Sequence, residues 1–392
     1  VLAVAMGRGA GAAGSGRDSR RRSLSRLPAL DETSLPVFHS VTEPDAPLPE
    51  PLTGLVIRST GSWYEVRTED GETIRARLRG RFRLDAIEID ETNPLAVGDR
   101  VRLVMGVGDD DSGMITAIKP RDNQLSRRAP GKRGAVREHV IVANIDRAWC
   151  VQSTFGPKVN PGFVDRFLVA AETHHIPAGL ILNKADLLEG NERAEEAMAF
   201  WQELYEGLGY PVLLTSTVTG RGLEAFRAAL AGAVSVVSGP SGVGKSSLLN
   251  AIEPGLGLRT SEIGEKTQKG RHTTTFATLL RAGGGWVADT PGIREFGLWD
   301  MAPEELGGYF VEFRPFLDDC RFPDCTHAHE PDCGVQQAVD DELIMPERYG
   351  SYLSMLETVA ESYRLSKEAR WRTLGRPEDP DAPFLDAEER GR

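Results

Sequence analysis

The chain is poor in cysteine and has no long apolar run. Four cysteines in 392 residues are too few for a disulfide-built domain. No apolar stretch approaches the roughly 18 residues that cross a membrane, so no membrane partner is expected. The net charge of -12 argues against a protein that coats nucleic acid over its whole surface. A chain of this length is expected to form two or three domains.

The two ends of the chain lack the apolar periodicity of a folded domain. Residues 1–50 begin Arg-, Gly- and Ser-rich and become acidic and Pro-rich, which predicts a disordered tail. The alternatives are an organelle transit peptide and a nucleic-acid-binding arm. Residues 374–392 are predicted to form a disordered acidic tail. We expect a cytoplasmic protein, or one in an organelle stroma or matrix if residues 1–50 are a transit peptide.

Residues 51–120 alternate short β-prone runs with turns. Five runs are rich in β-branched residues or alternate apolar with polar ones, and Asp70-Gly71 is one of the intervening turn signals. Five short strands in so few residues predict a small barrel of the OB-fold type. Residues 121–137 carry many basic residues and a Pro130-Gly131 break, and we interpret them as a basic linker.

Five arginines occupy alternate positions in a row that begins within the third of these runs. Successive side chains of a strand point to opposite faces, so all five are predicted to share one face. Like charges on one face repel, which favours a polyanion opposite them, and we interpret the row as RNA-binding. The alternative is a solvated face that nearby acids balance. The five are Arg75, Arg77, Arg79, Arg81 and Arg83.

A phosphate-binding sequence, G-P-S-G-V-G-K-S-S, begins at Gly239 between an apolar strand-like run and a helix-forming segment. The N–H groups of such a loop and the helix N-terminus bind phosphates. Lys245 is expected to reach the β- and γ-phosphates as a catalytic residue, and the Ser246 hydroxyl to bind Mg²⁺. The predicted GTP-binding residues here are Gly239, Pro240, Ser241, Gly242, Val243, Gly244, Lys245, Ser246 and Ser247.

A guanine-reading sequence, N-K-x-D, precedes the phosphate loop by some fifty residues. A carboxylate at Asp186 accepts hydrogen bonds from guanine N1–H and N2–H₂, a donor pair that adenine lacks, so GTP is predicted over ATP. Ser216, after the next predicted strand, is a weaker candidate for a base contact. In ordinary GTPases the phosphate loop comes first. The predicted base-binding residues are Asn183, Lys184, Ala185, Asp186 and Ser216.

Two later segments complete the expected nucleotide site. D-T-P-G begins at Asp289, where the carboxylate is expected in the Mg²⁺ shell and the Gly292 N–H beside the γ-phosphate. R-H-T-T-T lies between this segment and the phosphate loop. In it Thr274, favoured over Thr273, is expected to bind Mg²⁺ and to assist catalysis.

The residue that would orient the attacking water is missing. Ile293 stands where Ras-like enzymes have glutamine, so intrinsic hydrolysis is predicted to be slow. His272 is a candidate catalytic residue, because an imidazole relays protons near neutral pH. The alternative is that His272 only packs or hydrogen-bonds in its loop.

Three cysteines and a histidine lie close together near the C-terminus. The spacing Cys320-x₄-Cys325-x-His327-x₅-Cys333 supplies three thiolates and an imidazole, the donor set of a closed structural Zn²⁺ site. His329 is an alternative to His327. The helical pattern of residues 342–370 follows, so residues 301–373 are predicted to form a small α-helical zinc-binding domain.

The order N-K-A-D, G-P-S-G-V-G-K-S-S, R-H-T-T-T, D-T-P-G resembles that of the circularly permuted GTPases. With the barrel and the Cys/His cluster, residues 50–370 closely resemble the ribosome small-subunit-dependent GTPase A (RsgA) family. The resemblance implies a multidomain fold. It combines an OB-fold barrel, a permuted α/β P-loop GTPase domain in residues 138–300, and the α-helical zinc-binding domain.

The resemblance also implies a function. A monomer would bind the small ribosomal subunit and its rRNA late in maturation, with subunit-stimulated GTP hydrolysis and release after it. It implies Mg²⁺ with GTP and one structural Zn²⁺. The alternatives are an assembly factor with GTP as a structural ligand only, a translation regulator on complete ribosomes, and an ATP-dependent P-loop enzyme. Because Arg294 leads from Gly292 into the zinc-binding domain, a γ-phosphate-dependent shift is further hypothesised to move that domain.

Overall fold

The computed structural model describes residues 51–78, 94–105, 112–130, 136–258, 278–289 and 301–374. Contacts divide the chain into Val1–Leu48 and Pro49–Arg392, and every described residue belongs to the second unit. None of the helices in these ranges is long and apolar enough to cross a bilayer.

Five N-terminal strands close into a barrel, as the sequence predicts. Strand β1 pairs with β2 and β4, β2 with β3, and β5 joins β3 to β4. The side chains of Val56, Val66, Val101, Leu103 and Ile115 are fully buried inside it. The strands are β1 (Leu52–Ser59), β2 (Tyr64–Thr68), β3 (Thr73–Leu78), β4 (Arg100–Val104) and β5 (Gly113–Ile118).

A two-stranded hairpin follows, where composition indicates a basic linker. Strands β6 (Gln124–Pro130) and β7 (Val136–Ala143) pair antiparallel, and Pro130 is the last residue of β6. Arg121 donates to both carboxylate oxygens of the fully buried Asp99, at 2.8 and 3.0 Å. This part of the chain therefore folds onto its neighbours, because Arg121 bonds a buried carboxylate and Leu125 and Val142 join the core.

The GTPase region forms a parallel sheet of six strands with one exception, since β12 runs antiparallel to β13. The strand order is β10-β9-β8-β11-β13-β12. Its strands are mostly apolar in sequence because helices cover both faces of the sheet. They are β8 (Arg147–Ser153), β9 (Ala178–Asn183), β10 (Val212–Thr215), β11 (Val234–Ser238), β12 (Thr278–Ala282) and β13 (Gly285–Asp289).

Four helices cover this sheet in two separate cores. Helices α1 (Pro161–Thr173) and α2 (Glu192–Gly207) contribute Phe167 and Tyr205 to one core. Helices α3 (Leu223–Leu230) and α4 (Lys245–Ile252) belong to the other. The α/β fold predicted from the alternating pattern is confirmed.

The barrel and the GTPase sheet are joined edge to edge. Arg58 of β1 pairs with Thr278 of β12, so the barrel strands and the six GTPase strands form one eleven-stranded sheet. Strand β12 is the first described element after the predicted R-H-T-T-T segment. The barrel therefore pairs with the strand that follows this segment in the sequence.

The C-terminal region contains two 3₁₀ turns, Pro303–Tyr309 and Arg314–Asp319, a short helix α5 (Gly334–Asp340) and a long helix α6 (Pro346–Leu374). The sequence predicts the long helix but not α5. Side chains of α6 pack on a cluster of aromatic rings, with the ring centroids of Phe313 and Tyr352 4.9 Å apart.

Arg348 of α6 connects this region to the GTPase core. Its side chain is 2% exposed and donates to Asp165 of α1 at 2.5 Å and to both carboxylate oxygens of Glu312, at 2.5 and 3.0 Å. Tyr205 of α2 donates to the same Asp165 oxygen at 2.8 Å. Burial and the Asp165 charge raise the pKa of Tyr205, so it remains a donor.

Candidate nucleotide and metal sites

The phosphate loop lies between β11 and α4, as the sequence predicts. Gly244 has a left-handed φ of 94°, and a Cβ there would lie 2.5 Å from Asn183 Nδ2, so only glycine fits. The Lys245 ammonium donates to the carbonyl oxygens of Gly239 and Pro240, each at 2.8 Å. This places the positive charge within the predicted phosphate-binding loop.

The guanine-reading sequence touches the phosphate loop directly. Asn183 ends β9 and is only 2% exposed. Its side-chain amide donates to the Val243 carbonyl at 2.9 Å and accepts from the Thr215 hydroxyl at 3.0 Å. Strand β8 lies between β9 and β11 and is parallel to both. The carboxyl ends of the three strands therefore lie at the same end of the sheet, where nucleotides bind in such folds.

Asp186 follows in the 3₁₀ turn Ala185–Leu188. Ser216, which is fully buried, donates to the Asp186 carboxylate at 2.5 Å and accepts from the N–H groups of Val218 and Thr219, each at 3.1 Å. The sequence suggests Ser216 as a base contact. The structure shows that its side chain holds Asp186, and its contact with the base stays a prediction.

The loop of residues 154–160 also lies against the guanine-reading sequence. Thr154 Oγ1 donates to the Lys184 carbonyl, and Lys184 Nζ donates to the Gly156 carbonyl, both at 2.8 Å. The loop ends at Asn160, whose side chain caps α1 by accepting from the Phe163 N–H at 3.1 Å. Sequence reasoning missed this loop, because no motif marks it.

The remaining predicted nucleotide residues lie mostly outside the described ranges. His272, Thr274 and Gly292 are among them, and so is Arg294, so their roles and the hypothesised movement of the zinc-binding domain stay predictions. The backbone of Asp289 ends β13, which pairs with β11. The segment that begins there therefore follows a neighbour of the strand that leads into the phosphate loop.

The four predicted metal ligands come together. The donor atoms of Cys320, Cys325, His327 and Cys333 all lie within 4.8 Å of one another. His327 Nδ1 is 3.4 Å from Cys320 Sγ and 3.5 Å from Cys333 Sγ, and these two sulfurs are 3.9 Å apart. Thiolates on a tetrahedral Zn²⁺ at about 2.3 Å are separated by about 3.8 Å. The cluster can hold one metal ion, and His329 is not part of it.

Neighbouring residues hold the loop of this cluster in place and affect the protonation of its histidine. The Glu330 carboxylate accepts from Thr326 N–H and Oγ1, at 2.9 and 2.6 Å. Burial opposes ionisation of Glu330, but these hydrogen bonds hold its pKa at about 2. Burial also lowers the pKa of His327, which favours the neutral imidazole that metals require. Gly307 is required because a Cβ there would lie 2.7 Å from the His327 ring.

The described part of the arginine row lies on the outside of the barrel. Arg75 and Arg77 are exposed, while Ile74, Ala76 and Leu78 are buried, so the alternation is as the sequence predicts. Their guanidinium carbons lie 4.0 and 3.7 Å from the centre of the Trp63 ring, a stack that sequence reasoning missed. Arg79, Arg81 and Arg83 lie outside the described residues.

The strand order, the phosphate loop and the base sequence that precedes it define a circularly permuted P-loop GTPase. The family described as RsgA GTPase matches residues 118–299, and the RsgA N-terminal domain matches residues 53–115. The chain belongs to the RsgA GTPase family and is a GTP hydrolase.

Relatives and solved structures agree with this assignment. A protein of Bacteroides fragilis named small ribosomal subunit biogenesis GTPase RsgA is 41% identical over 307 residues, 78% of this chain and 96% of the relative. One of the same name from Gemmatimonas aurantiaca is 44% identical over 304 residues, 77% of this chain and 96% of the relative. The crystal structure of YjeQ from Thermotoga maritima has a TM-score of 0.63 at 36% identity, covering 79% of this chain and 98% of that one. YloQ, titled a circularly permuted GTPase, has a TM-score of 0.62 at 30% identity, covering 79% and 96%.

Proposed function

We propose that this protein is an assembly factor that binds the small ribosomal subunit late in maturation and leaves after GTP hydrolysis. Its relatives are named for biogenesis of that subunit. The observation that carries the nucleotide part of the proposal is the bond between Asn183 and the phosphate loop. It joins base recognition and phosphate binding at one edge of the sheet.

Different residues are assigned to binding of the base, binding of the phosphates and hydrolysis. Asp186, oriented by Ser216, accepts from the guanine edge, and the loop N–H groups with Lys245 bind the β- and γ-phosphates. Mg²⁺ bound with GTP would neutralise phosphate charge, and Ser246, Thr274 and Asp289 would hold it. With Ile293 in place of glutamine, the subunit supplies the missing organisation around the attacking water, with His272 as a candidate contributor.

Isolated small subunits are expected to speed GTP hydrolysis at least about tenfold. The free chain lacks the usual water-positioning glutamine, so its barrier is expected to exceed that of the bound chain by about 1.4 kcal/mol or more. Phosphate release is measured with and without subunits, and Lys245→Ala controls for contaminating hydrolases. A free chain that is fast and indifferent to subunits would contradict the proposal.

The same assay separates the alternatives. If GTP is only a structural ligand, single-turnover hydrolysis with subunits present will be equally slow for the parent protein and for Lys245→Ala. A regulator of complete ribosomes would sediment with mature subunits in preference to immature ones. The proposed assembly factor sediments with immature subunits.

We propose that the Cys/His cluster holds one structural Zn²⁺. The donor set leaves no open position for chemistry, so the ion would fix the fold around α5. Cys320→Ala is expected to reduce bound zinc from about one ion per chain to near zero, because a structural site rarely survives the loss of a ligand. Metal content is measured by elemental analysis.

Cys150→Ala is the matched control for the zinc experiment. Burial raises the pKa of the Cys150 thiol to about 12, and this cysteine lies outside the cluster. Its removal should leave the zinc content unchanged. Equal zinc loss in both variants, or no loss in Cys320→Ala, would contradict the assignment.

We further propose a monomer in the cytoplasm, where the bacterial relatives named above would meet assembling subunits. The arginine row on the barrel, which begins with Arg75 and Arg77, is proposed to contact rRNA. Support comes from the exposure of these two side chains and from the Trp63 ring against which they stack.

A further inference from the structure

A cleft of about 710 Å³ opens between the barrel and the GTPase sheet. Leu55 of β1 lines it on the barrel side, and Val234 and Trp286 line it on the other. Val234 begins β11, whereas the phosphate loop follows the end of that strand. The cleft therefore lies at the amino ends of the strands, whereas the predicted nucleotide site lies at their carboxyl ends. The two are separate features.

The cleft has a cationic lining. Arg67, Lys119 and Arg281 line it and are exposed, and no carboxylate of the described residues forms an ion pair with them. The two acids of the lining are already engaged. Glu69 accepts from Thr53 Oγ1 at 2.5 Å, and Asp146 accepts from the Val234 N–H at 2.7 Å. These hydrogen bonds leave both carboxylates charged, but the three unpaired basic side chains outnumber them. The net charge of these five groups is positive, which suits a polyanion.

Stacked guanidinium and indole groups lie at two places on this surface. Arg281 and Trp286 are directly opposite each other on β12 and β13, with the guanidinium 5.2 Å from the ring centre. The Trp63 stack with Arg75 and Arg77 lies on the outer face of the barrel. Arg67 follows Glu65, the partner of Arg75, by two residues on the same face of β2, and so connects the barrel stack with the cleft.

We propose that the cleft binds an unpaired segment of RNA that continues from the arginine row of the barrel. Arg67 and Lys119 would contact phosphates, and a base would stack on the Arg281–Trp286 pair. The volume is in the range of roughly 300–1,000 Å³ that accommodates small ligands, so a single base fits and an RNA helix does not. The planar stacks favour RNA over an acidic peptide. This inference rests on the proposed rRNA binding and specifies a second site for it.

The test compares three pairs of substitutions in the full-length protein. The cleft pair is Lys119→Gln with Arg281→Gln, and the barrel pair is Arg75→Gln with Arg77→Gln. The control pair, Arg193→Gln with Arg227→Gln, removes the same charge from α2 and α3, away from both sites. Each is titrated with a fluorescent 12-nucleotide oligouridylate, with a hairpin duplex and with isolated small subunits over a range of salt concentrations.

The parent protein should bind the single strand more tightly than the hairpin. The cleft pair should weaken binding of the single strand at least fivefold, because it removes both a phosphate contact and a stacking partner. Its salt slope should fall by about 0.7, since Lys119 is the one phosphate contact that the pair removes. The control pair should bind as the parent does. Unchanged free GTP hydrolysis would show that the cleft variant is folded.

Three results would overturn the proposal in distinguishable ways. If only the barrel pair weakens binding, the barrel binds RNA and the cleft does not. If the cleft pair weakens binding to subunits but not to oligouridylate, the occupant is an acidic ribosomal protein. If neither pair changes binding to any probe, the proposed rRNA contact of the barrel fails together with the cleft.

Discussion

Asp186→Asn is expected to weaken GTP binding by roughly 10²–10⁴-fold. The carboxylate would accept two charge-assisted hydrogen bonds from guanine, each worth about 1.5–3 kcal/mol, and the amide nitrogen of asparagine would face a donor instead. Ser216 holds the Asp186 carboxylate at 2.5 Å, so the side chain is already oriented for the base. The dissociation constants of GTP and GDP are measured by calorimetry.

The same variant should gain affinity for xanthosine triphosphate, whose base has an oxygen where guanine has its 2-amino group. An amide N–H of asparagine can donate to that oxygen. Glu189→Gln is the matched control, since it removes an equal charge from an exposed position three residues along the chain and should leave GTP binding unchanged. An ATP-dependent enzyme would show equal competition by ATP and no effect of Asp186→Asn.

Arg348→Met is expected to destabilise the folded protein by about 3–5 kcal/mol. The substitution retains much of the side-chain volume but leaves the carboxylates of Asp165 and Glu312 buried without their partner, which costs more than a surface charge loss. Thermal unfolding followed by circular dichroism should show a midpoint lowered by roughly 10 °C. The C-terminal region should separate from the GTPase core first, because Arg348 joins the two.

Arg364→Met on the same helix serves as the control. Arg364 bonds Glu361 and Glu368 at the surface, and exposed ion pairs contribute little, so its removal should leave the midpoint unchanged. Hydrogen exchange in α1 and α6 should rise in the Arg348 variant alone. Equal midpoints for the two variants would contradict the structural role of the buried network.

The features that sequence predicts here are those set by local pattern. The alternation of Ile74, Ala76 and Leu78 with the arginines fixes the faces of β3, because the period of a strand is two. The metal cluster is likewise contained within fourteen consecutive residues, Cys320 to Cys333. The nucleotide sequences are recognisable because phosphate and base contacts require particular residues at fixed spacings.

The features that sequence does not predict depend on contacts between distant residues. The hairpin of β6 and β7 forms in a segment whose charge indicates a linker, and the Arg121–Asp99 pair that stabilises this region spans 22 residues. Arg348 meets Asp165 across 183 residues, and neither position carries a motif. Ser216 is a similar case at the site, since its hydrogen bond to Asp186 spans 30 residues, while its predicted base contact stays a prediction.

The pairing of Arg58 with Thr278 has a consequence for the solution behaviour of the GTPase sheet. An uncovered strand edge presents N–H and C=O groups that recruit strands of other molecules. In this protein β1 pairs with the outer edge of β12 at Arg58 and Thr278, so the barrel shields this part of an edge that would otherwise promote self-association. A fragment without the barrel would therefore lose protection against aggregation in addition to any RNA contacts, and its behaviour would reflect both losses.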